Sequence, residues 1–468
     1  MFLLRLEIIF CSLEIGVTSL AAEFDSFAAE HVAKDADIST SDAESYHDAQ
    51  REICEFADSR KECVHVLKWA AATAGNRCSK SLTRTRNDEE EDRQAFGLTH
   101  FAFDVAVSDK IGPLREIPDE RHDLCVGLQY PTMDNGASPL VSIVIVYHNE
   151  AASVLIRMIN SIVNRSPVHR VKDIVLLDDD SSNELKVSEI LQEYGRSYGW
   201  PEDKLKYFHT EQREGLIRAK NIAAGKATGD ILVFLDSHCE VGYDWLEPLV
   251  ARLQEDRSKI VVPIVDIIDP NTFEYTGAMV CKGGFDLVLN FKWIYFDWSH
   301  FDNPMNYVRP FASPAMSGGL FAIWKSYFIQ LGSYDNGMDI WGAENIELSL
   351  RAWMCGGSVD VVPCSRVGHV FRYRRPYTSP NSTDAMAKNS LRTVKVWFNE
   401  LYQEKFLSLR PHLAKMDIGD ISDRLRLKRE LNCKDFQWYI NEVYPEFPGT
   451  ATEGFYRHDD DDTIDNKK

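Results

Sequence analysis

None of the ten cysteines is arranged as Cys-x-x-Cys, so the paired-thiolate spacing of zinc sites and of thioredoxin-type redox centres is missing. There is no GxxxxGK[ST] and no GxGxxG after a strand pattern, which removes the main signatures of a P-loop and of a dinucleotide-binding fold. Positive charge is short as well. Lysine and arginine number 52 against 72 acidic residues, a net charge of −20, the opposite of a nucleic-acid-binding footprint, and no nucleic-acid partner is expected. An uninterrupted apolar span of about 20 residues is also lacking. The opening stretch MFLLRLEIIFCSLEIGVTSLAA is broken by Arg5, Glu7 and Glu14, and each central charge costs roughly 2.5–3.5 kcal/mol on insertion scales. Its length and its small-residue end at Ala21 and Ala22 nevertheless fit a signal peptide or weak signal anchor over residues 1–22, with a soluble N-terminal helix as the alternative.

The remaining composition is globular, with 44% hydrophobic residues in 468, enough for a core of ordinary size. Residues 23–100, rich in Ala, Asp, Ser and Glu, read as a largely disordered stem or linker with one short helix around Cys63–Ala74. The runs Asp88–Asp92 and Asp459–Asp462 read as solvated tails. Dense apolar runs occupy 101–445, and 446–468 is an acidic disordered tail.

Within 101–445 apolar runs alternate with helical patterns. VSIVIVYH (Val141–His148), DIVLLDDD, KLKYFHT and DILVFLDSH read as strands. Between them lie a helix carrying Val154, Leu155, Met158, Ile159, Ile162 and Val163 on one face, a second over Glu184–Tyr194 and a third over Gly215–Thr228. This repetition predicts an α/β fold with a Rossmann-like, mostly parallel sheet flanked by helices and joined by right-handed crossovers. Ligands of such sheets bind beyond the carboxyl ends of the strands. Three predicted strands end in polar clusters there: His148-Asn149-Glu150, Asp178-Asp179-Asp180 and Asp236-Ser237-His238.

Asp236 and His238, two apart at a strand end, can both turn toward a divalent cation, for which a carboxylate and an imidazole suit Mn²⁺ or another transition ion. A turn with Asp236 capping backbone N–H groups is the alternative. Asp179 is placed to accept from a base or ribose, or else to cap the helix that follows. In SPAMSGGLFAI, Gly318 and Gly319 allow a close backbone approach to a ligand or simply a tight turn. Trp341, Glu344 and Asn345 open a helix whose Ile346, Leu350 and Trp353 form a core-facing stripe, leaving the opening residues exposed at a helix N-terminus suited to phosphate or sugar. His369 in VGHVFR sits beside Arg372, Arg374 and Arg375; it reads as a structural histidine or a ligand, and the arginines as a diphosphate clamp or a surface patch.

Taken together, HNEA, LLDDDSS, REGLIRAKNIAAGKATGDILVFLDSHCEV, SPAMSGGLF, GMDIWGAEN and CSRVGHVFR, in this order and spacing, resemble the polypeptide N-acetylgalactosaminyltransferases over about Phe101–Pro445. The resemblance implies a GT-A glycosyltransferase fold, UDP-GalNAc as donor, Mn²⁺ as cofactor, a Ser or Thr hydroxyl of a polypeptide as acceptor, and retention at the anomeric carbon. By motif, Asp236, His238 and His369 would be the metal ligands, and Asp236 would also meet the donor. Asp179 would contact uracil, Arg213 the nucleotide, and Arg372 and Tyr377 belong to the mobile loop that closes over UDP. Gly319, Trp341, Glu344 and Asn345 would line the donor-sugar and catalytic pocket, Glu344 as a positioning group in the front-face mechanism proposed for the family. The resemblance further implies disulfides Cys125–Cys364 and Cys355–Cys433, and a Golgi membrane protein of type II orientation with a lumenal catalytic domain, or a secreted one after signal cleavage. Asn381-Ser382-Thr383 is a glycosylation sequon usable in that compartment.

The sequence departs from the family's pattern in several places. Residues 446–468 are too few for the C-terminal β-trefoil lectin domain, so none is expected. Leu287 and Val288 stand where an aromatic usually follows Gly283-Gly284-Phe285-Asp286, leaving Phe285 and Phe371 as aromatics for the acceptor groove. Tyr373, Arg374 and Arg375 replace the usual residues of the mobile loop, Asp180 adds an acid beside Asp179, and Ala343 stands where a glycine is common.

Overall fold

A computed structural model describes residues 87–130, 138–377 and 384–448. Strand β1 (Val141–Tyr147) is buried along its whole length, as a run covered on both faces must be. It pairs in parallel with β2 (Val171–Asp178), which pairs in parallel with β3 (Leu205–His209). The chain then returns to the other side of β1 as β4 (Ile231–Asp236), again parallel. Helices Ala152–Arg165, Ser188–Tyr198 and Leu216–Lys226 make the connections. Because strand order reverses between β1 and β4, the crevice outside their carboxyl ends is the topological switch point where such sheets hold ligands. Register places Tyr147 opposite Asp178 and Val146 opposite Asp236, so all three polar clusters face that crevice.

The chain continues through β5 (Cys239–Val241), β6 (Lys259–Ile268), β7 (Tyr275–Thr276), β8 (Cys281–Phe285), β9 (Phe291–Tyr295), β10 (Phe311–Ala312), β11 (Phe321–Trp324) and β12 (Ser358–Val370). The main sheet runs β10-β12-β6-β11-β4-β1-β2-β3, with β5 beside β12 and β7 beside β6. Its far half is mixed: β11 is antiparallel to β4 and β6, while β12 is parallel to β6. Short β5 pairs antiparallel with β12 and sets His369 opposite Cys239, which returns a residue distant in sequence to the end of β4. Strands β8 and β9 form a separate antiparallel hairpin.

The helix expected over Glu184–Tyr194 starts later. A 3-10 turn at Asn183–Leu185 precedes helix Ser188–Tyr198, whose inward face is Val187, Ile190, Leu191 and Tyr194. Residues 88–100, assigned with the stem from composition, form a helix. Asn87 caps it by accepting from the N–H of Glu90, and Asp88–Glu91 occupy its first turn, where the macrodipole favours negative charge. Buried Arg93 pairs with Asp109 at 2.8 Å, so this segment packs on the domain. At the other end Phe447 is 1% exposed, two residues past the expected domain boundary. The stretch around Cys63–Ala74, residues 1–22 and the run Asp459–Asp462 lie outside the described residues.

A second core lies under the helices Glu344–Met354, Ala385–Trp397, Glu400–Leu409 and Phe436–Glu442. Phe285 belongs to it. Its exposure is 0%, and its ring lies 5.7 Å from Tyr444 and 5.5 Å from Phe447. The expectation that Phe285 lines an acceptor groove is therefore corrected: the β8 pleat turns it inward, and burying a benzyl side chain is worth roughly 1.5–3 kcal/mol. Leu287 is likewise in this core. Disulfides join Cys125 to Cys364 and Cys355 to Cys433; the first meets β12 where its register with β6 shifts between Val362 and Arg366.

Candidate active site

Asp236 ends β4, His238 follows in the turn to β5, and His369 comes from β12. One donor atom from each lies within 4.8 Å of the others, with His369 Nε2 3.4 Å from Asp236 Oδ2. Burial raises the Asp236 carboxyl, but Lys220 and the two imidazoles outweigh it and hold the group well below the carboxylate range. Burial, followed by the Arg372 guanidinium, brings His238 down to about 4 despite its contact with Glu150. His238 is thus neutral at physiological pH, the form that ligates metals. The ring nitrogen of His369 that faces Asp236 is Nε2, while Nδ1 is buried without a hydrogen-bond partner. One carboxylate and two imidazoles fit a transition ion such as Mn²⁺. Gly319 keeps the space open, since a Cβ there would fall 2.4 Å from Asp236 Oδ2.

Two further side chains complete this cluster. Glu150, 3% exposed, accepts from Ser237 Oγ (2.7 Å) and Arg372 Nη2 (2.6 Å) and lies 3.1 Å from His238 Nδ1. Burial would raise its carboxyl, but Arg372, His238 and Ser237 hold it at about 2. Glu150 and Arg372, whose Nη2 lies 3.0 Å from His238 Nδ1, together fix the orientation of the ring. Lys220, 1% exposed, places Nζ 3.5 Å from Asp236 Oδ1 and donates to the Gly318 carbonyl at 3.1 Å. Lys220 was not singled out from sequence; the available signal was that Ile217, Lys220 and Ala224 share one helical face that is otherwise apolar. Glu150 was visible only as part of a strand-end cluster.

Asp179 is 1% exposed. Its carboxylate accepts from the N–H groups of Glu214 (2.8 Å) and Gly215 (2.9 Å), so it organises the start of helix Leu216–Lys226 as well as facing the cavity. Burial pushes its carboxyl up. Arg213 Nε stands 3.1 Å from Asp179 Oδ2 without hydrogen-bond alignment, and its guanidinium lies 5.3 Å from the Tyr377 ring centroid. Burial lowers Arg213 to about 10, and it remains charged. The segment around Arg372 is fastened at several points. Arg372 lies over Phe103 (5.2 Å), Arg374 donates to the Leu98 and Thr99 carbonyls at the end of helix Asp88–His100, and Arg375 lies over Trp341 (4.8 Å).

These residues, with Gly319, Trp341, Glu344 and Asn345, line one cavity of about 640 Å³. Glu344 and Asn345 are not exposed as expected but 4% and 8% exposed, because the helix they open points into the core. Glu344 Oε2 accepts from the Gly342 N–H at 2.7 Å, Asn345 Nδ2 donates to the Met316 carbonyl at 2.9 Å, and burial pushes the Glu344 carboxyl up. A second, mainly apolar cavity of about 510 Å³ adjoins the first through Val265, Trp293, Ser317 and Phe371. Its aromatic wall is Trp293, Tyr295 and Phe371; the two β9 residues carried no sequence motif. Asn381 lies outside the described residues.

A sheet that reverses at β1/β4, with a carboxylate and imidazoles gathered at that point, is the architecture of a GT-A glycosyltransferase. Residues 142–330 match the family described as Glycosyl transferase family 2, and residues 300–376 match one described as N-terminal domain of galactosyltransferase. The chain is 47% identical over 393 residues to the "Probable N-acetylgalactosaminyltransferase 8" of Caenorhabditis elegans, covering 84% of this chain and 91% of that one. It is 41% identical to the mouse "Inactive polypeptide N-acetylgalactosaminyltransferase-like protein 5", covering 81% and 85%. A crystal structure of GalNAc-T7 with UDP, GalNAc and Mn²⁺ superposes with a TM-score of 0.72 at 35% identity, covering 80% of this chain and 69% of that one. The chain belongs to the polypeptide N-acetylgalactosaminyltransferase family.

Proposed function

We propose that this protein transfers N-acetylgalactosamine from UDP-GalNAc to Ser or Thr hydroxyls of polypeptides, with retention and in dependence on Mn²⁺. The observation that carries the reading is the meeting of Asp236, His238 and His369 at the switch point of the sheet, inside a cavity large enough for a nucleotide sugar. These three residues would hold the cation, whose chemistry when bound is to neutralise the diphosphate. Arg372 and Arg213 supply fixed positive charge to a departing UDP, and preorganised charge of this kind is commonly the largest contribution to such a transition state. Asp179 and Arg213 face the nucleotide, Tyr377 and Arg372 cover it, and Gly319, Trp341, Glu344 and Asn345 surround the sugar. Glu344, fixed by the Gly342 N–H, orients the donor; in the transfer the anomeric C–O bond to UDP breaks, a bond to the acceptor oxygen forms on the same face, and the acceptor's hydroxyl proton passes to a phosphate oxygen of the departing UDP. Phe371, with Trp293 and Tyr295, offers the acceptor peptide an apolar wall.

The Golgi lumen is the compartment this reading implies, with type II orientation or secretion after cleavage as the two routes. Cys125–Cys364 and Cys355–Cys433 suit an oxidising compartment. Among the described residues, no helix is long and apolar enough to cross a membrane.

The test is transfer from UDP-GalNAc to a Ser/Thr/Pro peptide library by the purified protein. Product should form with Mn²⁺, vanish with EDTA and fall at least about 100-fold in Asp236→Ala. The similarity to a relative named inactive gives a second reading, a non-catalytic protein that binds UDP-sugar or protein partners; UDP binding without product from the wild type would decide for it.

A further inference from the structure

The turn that carries Trp341 into the cavity is held in a costly conformation. Ile340 (φ 48°), Gly342 (φ 107°) and Ala343 (φ 65°) are all left-handed, and a residue with a Cβ incurs roughly 1–2 kcal/mol there. Such a turn persists only if its surroundings over-determine it. The hold comes from helix Ala385–Trp397. Asn389, 0% exposed, accepts from the Asp339 N–H at 2.8 Å and donates to the carbonyls of Asp339 (2.7 Å), Gly342 (3.0 Å) and, more distantly, Trp341 (3.4 Å). Its neighbour Lys388 pairs with Asp339 Oδ2 at 2.6 Å, and Arg218 holds the other carboxylate oxygen at 2.9 Å. Asn389 does not line the cavity.

We propose that Asn389 is a positioning residue for the donor-sugar pocket: its carboxamide locks the Asp339–Ala343 turn and thereby sets Trp341 and the Glu344 carboxylate. An amide is the fitting group, since it alone combines one acceptor for the Asp339 N–H with two N–H donors for the carbonyls. An aspartate would turn a carboxylate oxygen toward those carbonyls. The proposal rests on the transferase reading above. The hydrogen bonds of Asn389 fall at the sugar end of the cavity, on Asp339, Trp341 and Gly342; the nucleotide end at Asp179 and Arg213 meets the same turn through Arg218 and the backbone bridge of Gly215 with Ile340, to neither of which Asn389 is bonded.

The experiment compares wild type, Asn389→Ser and Asn389→Asp in the full-length protein, measuring kcat, both KM values, and the affinities for UDP and UDP-GalNAc in Mn²⁺. A displacement of about 1 Å at a reacting centre costs on the order of 100-fold. Both variants should therefore lose about 10- to 100-fold in kcat while UDP affinity stays within about 2-fold. Wild-type kcat, or an equal loss of UDP affinity, would overturn the proposal. Should both variants fail to fold, Lys388→Met, which removes only the partly exposed ion pair to the same turn, should lower kcat by about 3-fold with UDP affinity unchanged; unaltered kcat there overturns the clamp. If wild type binds UDP but transfers nothing, the transferase reading fails, and the clamp is read separately from affinity. Asn389→Ser should then erase any difference between UDP-GalNAc and UDP, and a wild-type difference surviving in the variant would overturn it.

Discussion

The site residues differ in how far the fold works against their charge. Glu150 is buried and Asp236 partly so, but Lys220 beside Asp236 and Arg372 beside Glu150 hold both ionised. Glu344 is the opposite case, because burial is the largest influence on it and its carboxyl is raised. An acid whose folded-state pKa lies above its unfolded value of about 4.3 subtracts from stability when ionised. That penalty is full above the folded value, shrinks as pH falls through it and disappears below the unfolded value. Glu344→Gln should therefore raise the melting temperature at neutral pH, with the gain vanishing below about pH 4, while transfer falls by about 10-fold or more. Thermal melts at the two pH values, alongside peptide transfer, check both halves; equal gains at both pH values would reject the ionisation account.

At the scale of elements, the strands and helices that build the switch point were legible because their patterns are local. VSIVIVYH and DILVFLDSH are continuous apolar runs that end in polar clusters, and they form β1 and β4 with Val146 in register with Asp236. Helix Glu344–Met354 was also legible, but its entry was not: Ala343, its N-cap position, is left-handed at φ 65° and supplies no side-chain cap. Ala343→Gly should stabilise the protein by about 1 kcal/mol, since glycine occupies that region without a Cβ penalty. Chemical denaturation measures the change, and a loss of stability would show that the alanine methyl contributes packing that outweighs the strain.

Across the whole molecule, two crosslinks tie distant segments to the catalytic half. Cys125–Cys364 spans 239 residues of sequence and Cys355–Cys433 spans 78. Joining distant positions restricts the unfolded chain, and removing such a bridge typically costs about 2–5 kcal/mol. Replacing Cys355 and Cys433 by serine should lower the denaturant midpoint by a corresponding amount, and reductant should lower the wild type but leave that pair's contribution absent in the variant. Stability equal to wild type in oxidising buffer would show that the second helical core holds residues 433–447 unaided.

The sequence by itself determined the alternating α/β pattern, the acids at the strand ends and the motifs that mark the family, because each is written in neighbouring residues. Tertiary structure decided what distance in sequence conceals. His369 reaches Asp236 through the pairing of β12 with β5, and Lys220 and Glu150 become site residues through burial beside it. Phe285 turns into the core while Trp293 and Tyr295 line the apolar cavity, since which face of a short hairpin is covered depends on the C-terminal helices that pack against it. The 339–343 turn is likewise specified from Asn389 on another helix, as its left-handed residues have no local preference for the shape they hold.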